Sequence, residues 1–327
     1  MKKPIYITEI LTEQVTKGLS KPITVVGNDG EVYFLKKPWI IDPKTKKQTY
    51  LDCMFLQEAL VSEIAAYLKL NIPAYAIVEI DREAIGKFSV LRLNGFSEGL
   101  YFASTRINNV ETNYMDSLDL SLDEHKMLLK QSWFDFYSRI SNKDDFGKMI
   151  VMDLFVCNFD RFGNVGNLIV SVKEDNREFF IIDHGFTFWG HVWVDSKKNM
   201  MNQISNKELY LDMYFRKLIG ASGYRLPMSG LGTLFRAIDQ HIYFDDEGAL
   251  PIMQTISLIE QIDQRMINEW INNIPLDWFV SYDDQVERYV EFLLYKKNLI
   301  RELLNTMVAN GAFRNYKGGN LPWNQPM

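Results

Sequence analysis

The sequence predicts an α+β chain in two lobes, a small β-rich N-terminal lobe with one helix and a larger, mainly helical C-terminal lobe. Three observations carry this expectation. Two apolar runs flank a Gly-Asn-Asp-Gly turn near the start of the chain. One stretch after them has strong helical periodicity. The pattern then shifts from mixed to mainly helical near Gly99. The lobes are accordingly placed at 1–99 and 100–312, with an irregular tail at 313–327.

The first element is a hairpin. Ile23 to Lys36 alternates around Gly27-Asn28-Asp29-Gly30, and such turns need the positive φ that Gly and Asn tolerate. Asp52 to Leu70 spaces Leu56, Leu60, Ile64, Tyr67 and Leu68 as one helix face. Asn71-Ile72-Pro73 ends it, and Ala74 to Asp81 returns to strand. From Ser121 to about Val156 the pattern is helical, with a nearly continuous apolar segment after Asn142 or Lys143. Two short strands follow, Asn167 to Val172 and Glu178 to Gly185, with a turn in Lys173 to Arg177. Beyond Asn206 helices dominate, the clearest being Asp283 to Val308 with an apolar stripe from Val286 to Leu304. The tail from Phe313 is rich in Gly, Pro and Asn.

Composition narrows the function. A net charge of −6 repels nucleic acid and anionic lipid, so neither is an expected direct partner. No apolar run approaches the ~20 residues of a membrane span; the longest, Met149 to Cys157, is interrupted by Asp153. The first residues lack the apolar stretch of a signal peptide. Cys53 and Cys157 stand in no metal or redox spacing and read as buried thiols in a reducing cytoplasm.

The polar residues of CNFDRFGNVGNLIV and FFIIDHG carry the chemistry. Asp160, Arg161, Asn164 and Asn167 lie between an apolar helix and a β-branched strand. Asp183 ends a strand of Phe179, Phe180, Ile181 and Ile182. A carboxylate so placed must be ion-paired, hydrogen-bonded or metal-bound, because burying it alone costs several kcal/mol. Phosphoryl transfer to a hydroxyl uses such a set: one carboxylate facing the hydroxyl, an amide oxygen and a second carboxylate holding Mg²⁺ against phosphates. On this reading Asp160 is the catalytic base, Asp183 the principal metal ligand and Asn167 a second one. Arg161 is an electrostatic support or the partner of a neighbouring carboxylate. His184 and His191, seven apart near Asp183 and Asp195, match no zinc spacing. No G-x-S-x-G elbow supplies a hydrolase nucleophile.

The motif N-x-D-R-x-x-x-x-x-N-L-I, followed by I-I-D-H-G, resembles the catalytic loop and metal-binding motif of the HipA-like kinases, to which phosphatidylinositol kinases carry a related arrangement. The resemblance implies a protein-kinase-like fold, ATP, Mg²⁺, and transfer to a hydroxyl, here of Ser or Thr in a protein acceptor. It also implies an antitoxin-like partner. Val-Tyr-Phe-Leu-Lys-Lys-Pro resembles the family strand whose lysine holds the ATP phosphates. Strand alternation favours Lys36 over Lys37. The helix and strand from Ser62 to Asp81 resemble the family pair whose glutamate binds that lysine, which makes Glu63 the candidate and Glu58 the alternative. Gly18 and Ser20 occupy the place of a phosphate-covering loop.

Two departures matter. Related loops carry the metal-binding Asn five residues after the Asp, where this chain has Val165, with Asn164 and Asn167 flanking it. The strand beginning at Leu168 favours Asn167, with a loop two residues longer. Phe162 replaces the histidine that often follows Asp-Arg. These leave a nucleotide-binding pseudokinase, or a small-molecule or lipid kinase, as alternatives.

Overall fold

The computed structural model describes residues 2–14, 21–41, 45–111, 135–221, 231–244 and 249–316. It is a mixed α/β structure. The expected hairpin forms as β2 (Ile23–Gly27) and β3 (Val32–Leu35), pairing Ile23 with Leu35 and Val26 with Val32. Its turn closes because Gly30 takes φ +84° and the Asp29 carboxylate accepts both the Glu31 N–H and the Tyr33 hydroxyl.

This hairpin belongs to a closed five-stranded barrel with β1 (Ile5–Gln14), β6 (Tyr75–Ile80) and β7 (Gly99–Thr105), in the order β1-β2-β3-β7-β6. Closure comes from parallel pairing of Ile5 with Val78 in β1 and β6. The barrel therefore runs past position 99: β7 pairs with β6 over Gly99 to Ser104 and with β3 over Ala103 to Thr105. Val25, Leu35, Ile77, Val78 and Ala103 are fully buried. A two-stranded ribbon, β4 (Trp39–Ile41) and β5 (Gln48–Tyr50), leads from β3 towards α1 (Met54–Tyr67). Two short helices, α2 (Arg82–Lys87, capped by Asp81) and α3 (Ser89–Leu93), link β6 to β7.

Helix α1 is the first helix the sequence predicts, and it is buried on most of its circumference rather than along one stripe. Gln57, Glu58 and Ser62 are buried together with Leu56, Leu60 and Ile64. That is unusual for charged and amide side chains, and each must find a partner.

Downstream, α4 (Asp145–Val156) is nearly all buried, as its apolar run demands. It stops where Cys157 turns left-handed at φ 56° and the Asn158 N–H bonds back to the Asp153 carbonyl. The second predicted hairpin follows as β8 (Leu168–Lys173) and β9 (Asn176–Ile181), in register from Leu168–Ile181 to Lys173–Asn176. Glu174 takes the left-handed conformation in its two-residue turn. Helices α5 (Asp195–Asn202), α6 (Lys207–Ala221), α7 (Thr233–Ile238), α8 (Leu250–Gln261) and α9 (Gln264–Asn272) complete most of the remainder.

The single helix expected over Asp283 to Val308 is two: α10 (Tyr282–Lys296) and α11 (Ile300–Ala309), separated by a 3₁₀ turn at Lys297–Leu299. At the break the Lys297 ammonium donates to the Ile262 and Glu260 carbonyls at the end of α8, at 2.6 and 3.2 Å. The start of the tail is tied down. Its described part has no regular structure, but Phe313 is buried against Phe235 and Phe244, and Arg314 pairs with Asp239. Cys53 and Cys157 are free, buried thiols. Among the described residues no helix is long and apolar enough to cross a membrane.

Candidate active site

The site is assembled from the loop between α4 and β8, the end of β9, the end of β3 and one face of α1. The loop begins with an Asx turn, in which the Asn158 side-chain oxygen accepts the Asp160 N–H at 3.2 Å. This leaves the Asp160 side chain exposed at the tip. Its Oδ2 accepts the Asn167 amide at 2.9 Å and lies 3.4 Å from the Asn164 amide nitrogen. The Asn164 side-chain oxygen is committed to the Gly166 N–H at 3.1 Å, capping the 3₁₀ turn Val165–Asn167. Val165 is half-buried against the core. Both asparagines thus donate to Asp160, Asn167 the more closely, and they differ in that Asn164 commits its side-chain oxygen to the turn.

Of the two roles the sequence leaves open for Arg161, the structure shows the partner of a neighbouring carboxylate: the side chain is wholly buried and aims away from the loop tip. Its Nε donates to Asp153 at 2.7 Å, its Nη1 to the carbonyls of Asn167 and Ile182, each at 2.9 Å, and its Nη2 to His184 Nδ1 at 3.0 Å. A planar guanidinium is the side chain able to hold four groups in this fan. Together with the Ile182 N–H to Asn167 carbonyl bond at 3.2 Å, it ties the loop to the end of β9. Burial pushes the Asp153 carboxyl up to about 6 even with the Arg161 charge pulling it down.

Asp183 follows β9 and takes φ 62°, a conformation that Asp tolerates better than most residues. This turns its carboxylate out of the strand line, leaving it about half exposed (52%). Oδ1 accepts from the Lys36 ammonium at 3.2 Å, and Lys36 also pairs closely with Glu58. Burial alone would lower the Lys36 pKa, but the Asp183 and Glu58 carboxylates outweigh it and hold the ammonium above its ordinary value. The same ammonium holds the Asp183 carboxyl below its usual range.

The glutamate that meets Lys36 is therefore Glu58, the weaker candidate by sequence, and not Glu63. Glu63 faces the barrel, where it accepts the Tyr75 hydroxyl at 2.8 Å and lies 3.8 Å from Lys2. Glu58 also accepts the His184 N–H through Oε2 at 3.1 Å. Gly185 makes this contact possible: a Cβ there would lie 2.6 Å from Met54 on α1. Beside Glu58 on α1, Gln57 donates to the carbonyls of Thr187 and Gly190 at 2.7 and 3.0 Å. Neither Gln57 nor His184 stands out by sequence as part of the site. The signals for them are a polar residue inside an otherwise apolar helix, and a histidine directly after a strand-end Asp. His184 Nδ1 accepts from Arg161, and burial lowers its pKa well below the ordinary value, so it is neutral. His191 rests on the Phe186 ring, with centroids 4.9 Å apart.

Lys36, Glu58 and Asp183 thus form one contact set and Asn167 and Asp160 another, joined through the Arg161 and Ile182 bonds to the Asn167 carbonyl. Gly18 and Ser20 lie outside the described residues. Among the described residues no three His, Cys, Asp or Glu side chains cluster as a metal cage. The donors present suit Mg²⁺ instead, which takes one or two carboxylates and completes its shell with water and phosphate oxygens. Asp183 offers an ionised, exposed carboxylate. Asn167 spends its amide nitrogen on Asp160, which leaves its hard amide oxygen as the second donor.

The segment 7–147 matches the family of HipA-like kinases. That match takes in Lys36 and Glu58 and stops short of Asp160, Asn167 and Asp183, so the second half of the site rests on its own geometry. The fold is similar to the crystal structure of a Helicobacter pylori proinflammatory kinase, CtkA, over 93% of this chain and 97% of that one, with 15% identity and a TM-score of 0.54. HipA of Shewanella oneidensis MR-1, solved with HipB and operator DNA, matches over 92% of this chain and 67% of that one, with 11% identity and a TM-score of 0.38. No curated protein matches the sequence. The HipA-like match and the shared kinase fold support a kinase.

Proposed function

We propose that this chain is an ATP- and Mg²⁺-dependent kinase that transfers a γ-phosphoryl group to a hydroxyl, that of Ser or Thr in a protein acceptor. The observation that carries the reading is the pair of contact sets, Glu58 through Lys36 to Asp183, and Asn167 to Asp160. On this reading the barrel with α1 and the helical remainder are two lobes around the nucleotide. The two free buried thiols suit a reducing cytoplasm.

Each residue then has a distinct task. Asp160, anchored through Oδ2 by Asn167, presents its other oxygen to the incoming hydroxyl and takes its proton. Asn167 and Asp183 would hold Mg²⁺, which when bound offsets phosphate charge. Lys36 supplies a fixed positive charge for phosphate oxygens, and Glu58 keeps it in place. Arg161, acting through the Asn167 and Ile182 carbonyls, positions Asp160 relative to Asp183.

The test is transfer of label from γ-labelled ATP to the chain itself and to a general protein acceptor, for wild type, Asp160→Ala and Asp183→Ala. Loss of transfer in both variants is expected; transfer surviving in both would remove the assignment. Val165, at the position of the usual metal-binding Asn, favours one second reading, a pseudokinase that binds Mg-ATP without transfer. Calorimetric binding of Mg-ATP by wild type with no transfer to any acceptor would select it.

A further inference from the structure

A cavity of 390 Å³ lies away from the site described above, where β5, the start of α1, the beginning of β7 and the turn before α10 meet. Its volume is at the lower end of ligand-sized pockets. Tyr50 supplies an exposed aromatic face (57%) above the buried rings of Phe55 and Trp278, and Asp52, Glu98 and Asp277 supply carboxylates; among the described residues no basic side chain lines it.

The walls are fixed before any ligand arrives. The Trp278 indole donates to the Leu100 carbonyl at 2.9 Å and packs on Phe55 with centroids 5.4 Å apart. The Tyr101 hydroxyl accepts the Ser97 N–H and donates to the Ser97 carbonyl, both at 3.1 Å, which pins the strip carrying Glu98. Asp52 is partly engaged, since its Oδ1 accepts the Trp193 N–H at 2.7 Å. Glu98 and Asp277 are exposed.

We propose that this pocket binds an arginine-bearing peptide segment of a partner protein. A guanidinium is planar, stacks on aromatic faces and donates in a fork to carboxylates, so it answers both features of the lining at once. An ammonium can also sit over the Tyr50 ring, but as a point charge it lacks the planar fork that reaches a carboxylate while stacked. The rim offers apolar contact to the residue beside the arginine, because Tyr50 and Val280 are 57% and 53% exposed. This inference does not depend on the kinase reading.

Fluorescence anisotropy tests it, with the full chain and a labelled acetyl-Gly-Arg-Leu-Gly-amide as probe, beside the same peptide carrying citrulline. Citrulline keeps the shape and removes the charge. Saturable binding at about 1 mM or below is expected for the arginine peptide, and about tenfold weaker binding for citrulline. The double variant Glu98→Gln, Asp277→Asn should lose about tenfold in affinity for the arginine peptide while keeping the wild-type melting temperature. Equal affinity for the two peptides, absence of saturation, or unchanged affinity in a folded double variant would each overturn the proposal. If the double variant does not fold, the citrulline comparison on wild type decides alone.

Discussion

The Asn167 amide nitrogen donates to Asp160 Oδ2 across 2.9 Å, whereas the neighbouring Asn164 spends its side-chain oxygen on the Gly166 N–H. This asymmetry predicts different consequences for two similar substitutions. Asn167→Ala frees the Asp160 carboxylate and removes an oxygen donor, so phosphoryl transfer should fall by about 100-fold or more. Asn164→Ala removes a turn cap and should cost about 1 kcal/mol of stability with a much smaller fall in transfer. Single-turnover transfer assays and urea titrations on both variants separate the two roles; equal losses of transfer would contradict the assignment of Asn167.

Lys36 and Glu58 are 12% and 2% exposed, so removing one strands the other. Lys36→Ala leaves Glu58 buried without its cation and should destabilise the chain by about 3 kcal/mol. Lys36→Met should abolish Mg-ATP binding by calorimetry. Glu63→Gln keeps an acceptor for the Tyr75 hydroxyl and should stay within about 0.5 kcal/mol of wild type. A Glu63→Gln variant as damaged as Glu58→Gln would return the lysine-pairing role to Glu63.

The exchange of Glu63 for Glu58 marks a limit of sequence patterns. The Gly27–Gly30 turn, the β8–β9 hairpin and the placing of Asp160, Asn167 and Asp183 in the loop and beyond the strand end are legible, because turn residues and stranded carboxylates each have few permitted settings. Lys36 followed from strand alternation. Glu58 and Glu63 could not be ranked, since periodicity identifies a buried stripe only when the other face is wet, and α1 is enclosed on most sides. The Asp153–Arg161 pair has a signal in the sequence as well: one carboxylate inside the run Met149 to Cys157 requires a cation, and Arg161 is the next one along the chain. The break at Lys297–Leu299 depends on a tether to Ile262 and Glu260 that local pattern does not encode.

Arg161→Lys should be far from conservative. An ammonium cannot reach Asp153, His184 and two carbonyls together, so at least two buried acceptors lose their donor, at about 3 kcal/mol in total. Because the same side chain ties Asn167 to Ile182, transfer should also fall at temperatures where the variant is fully folded. Unchanged transfer in the folded variant would reduce Arg161 to a purely structural role.

Lys296 predicts a pH dependence independent of catalysis. It is fully buried, 3.1 Å from the Tyr210 hydroxyl and with its ammonium 3.7 Å from the Tyr214 ring centroid. Burial pushes its pKa down to about 8 from 10.5. A folded-state value below the unfolded one means that the unfolded chain binds more protons between those two values. Stability should therefore rise as pH climbs from about 8 towards 10.5. Lys197, pushed down to about 8 by burial as well, adds to the same trend. Tyr210, Tyr214 and the Cys157 thiol are all pushed up by burial, so the unfolded chain loses these protons first and they oppose the trend as pH rises towards their ordinary values. Across pH 7, 8 and 9 the urea midpoint of wild type should gain steadily on that of Lys296→Met. Parallel curves for the two proteins would rule out Lys296 as a source.

The close approach of α7 to the catalytic loop predicts the largest effect of a single methyl group. A Cβ on Gly232 would lie 2.1 Å from the Phe162 carbonyl oxygen, a backbone atom that no rotamer change can move, and Gly232 itself sits at φ +151°. The Phe235 N–H bonds to that same carbonyl at 3.2 Å, so α7 cannot back away without losing it. Gly232→Ala should destabilise the chain by about 3 kcal/mol or more and, by shifting Phe162, displace its neighbour Arg161. At Gly163, one residue after Phe162, an added methyl group would meet nothing within 4 Å. Gly163→Ala should accordingly be neutral or stabilising by up to about 1 kcal/mol. Urea unfolding of the two variants side by side checks the contrast, and a tolerated Gly232→Ala would mean that α7 does not press on the loop in solution.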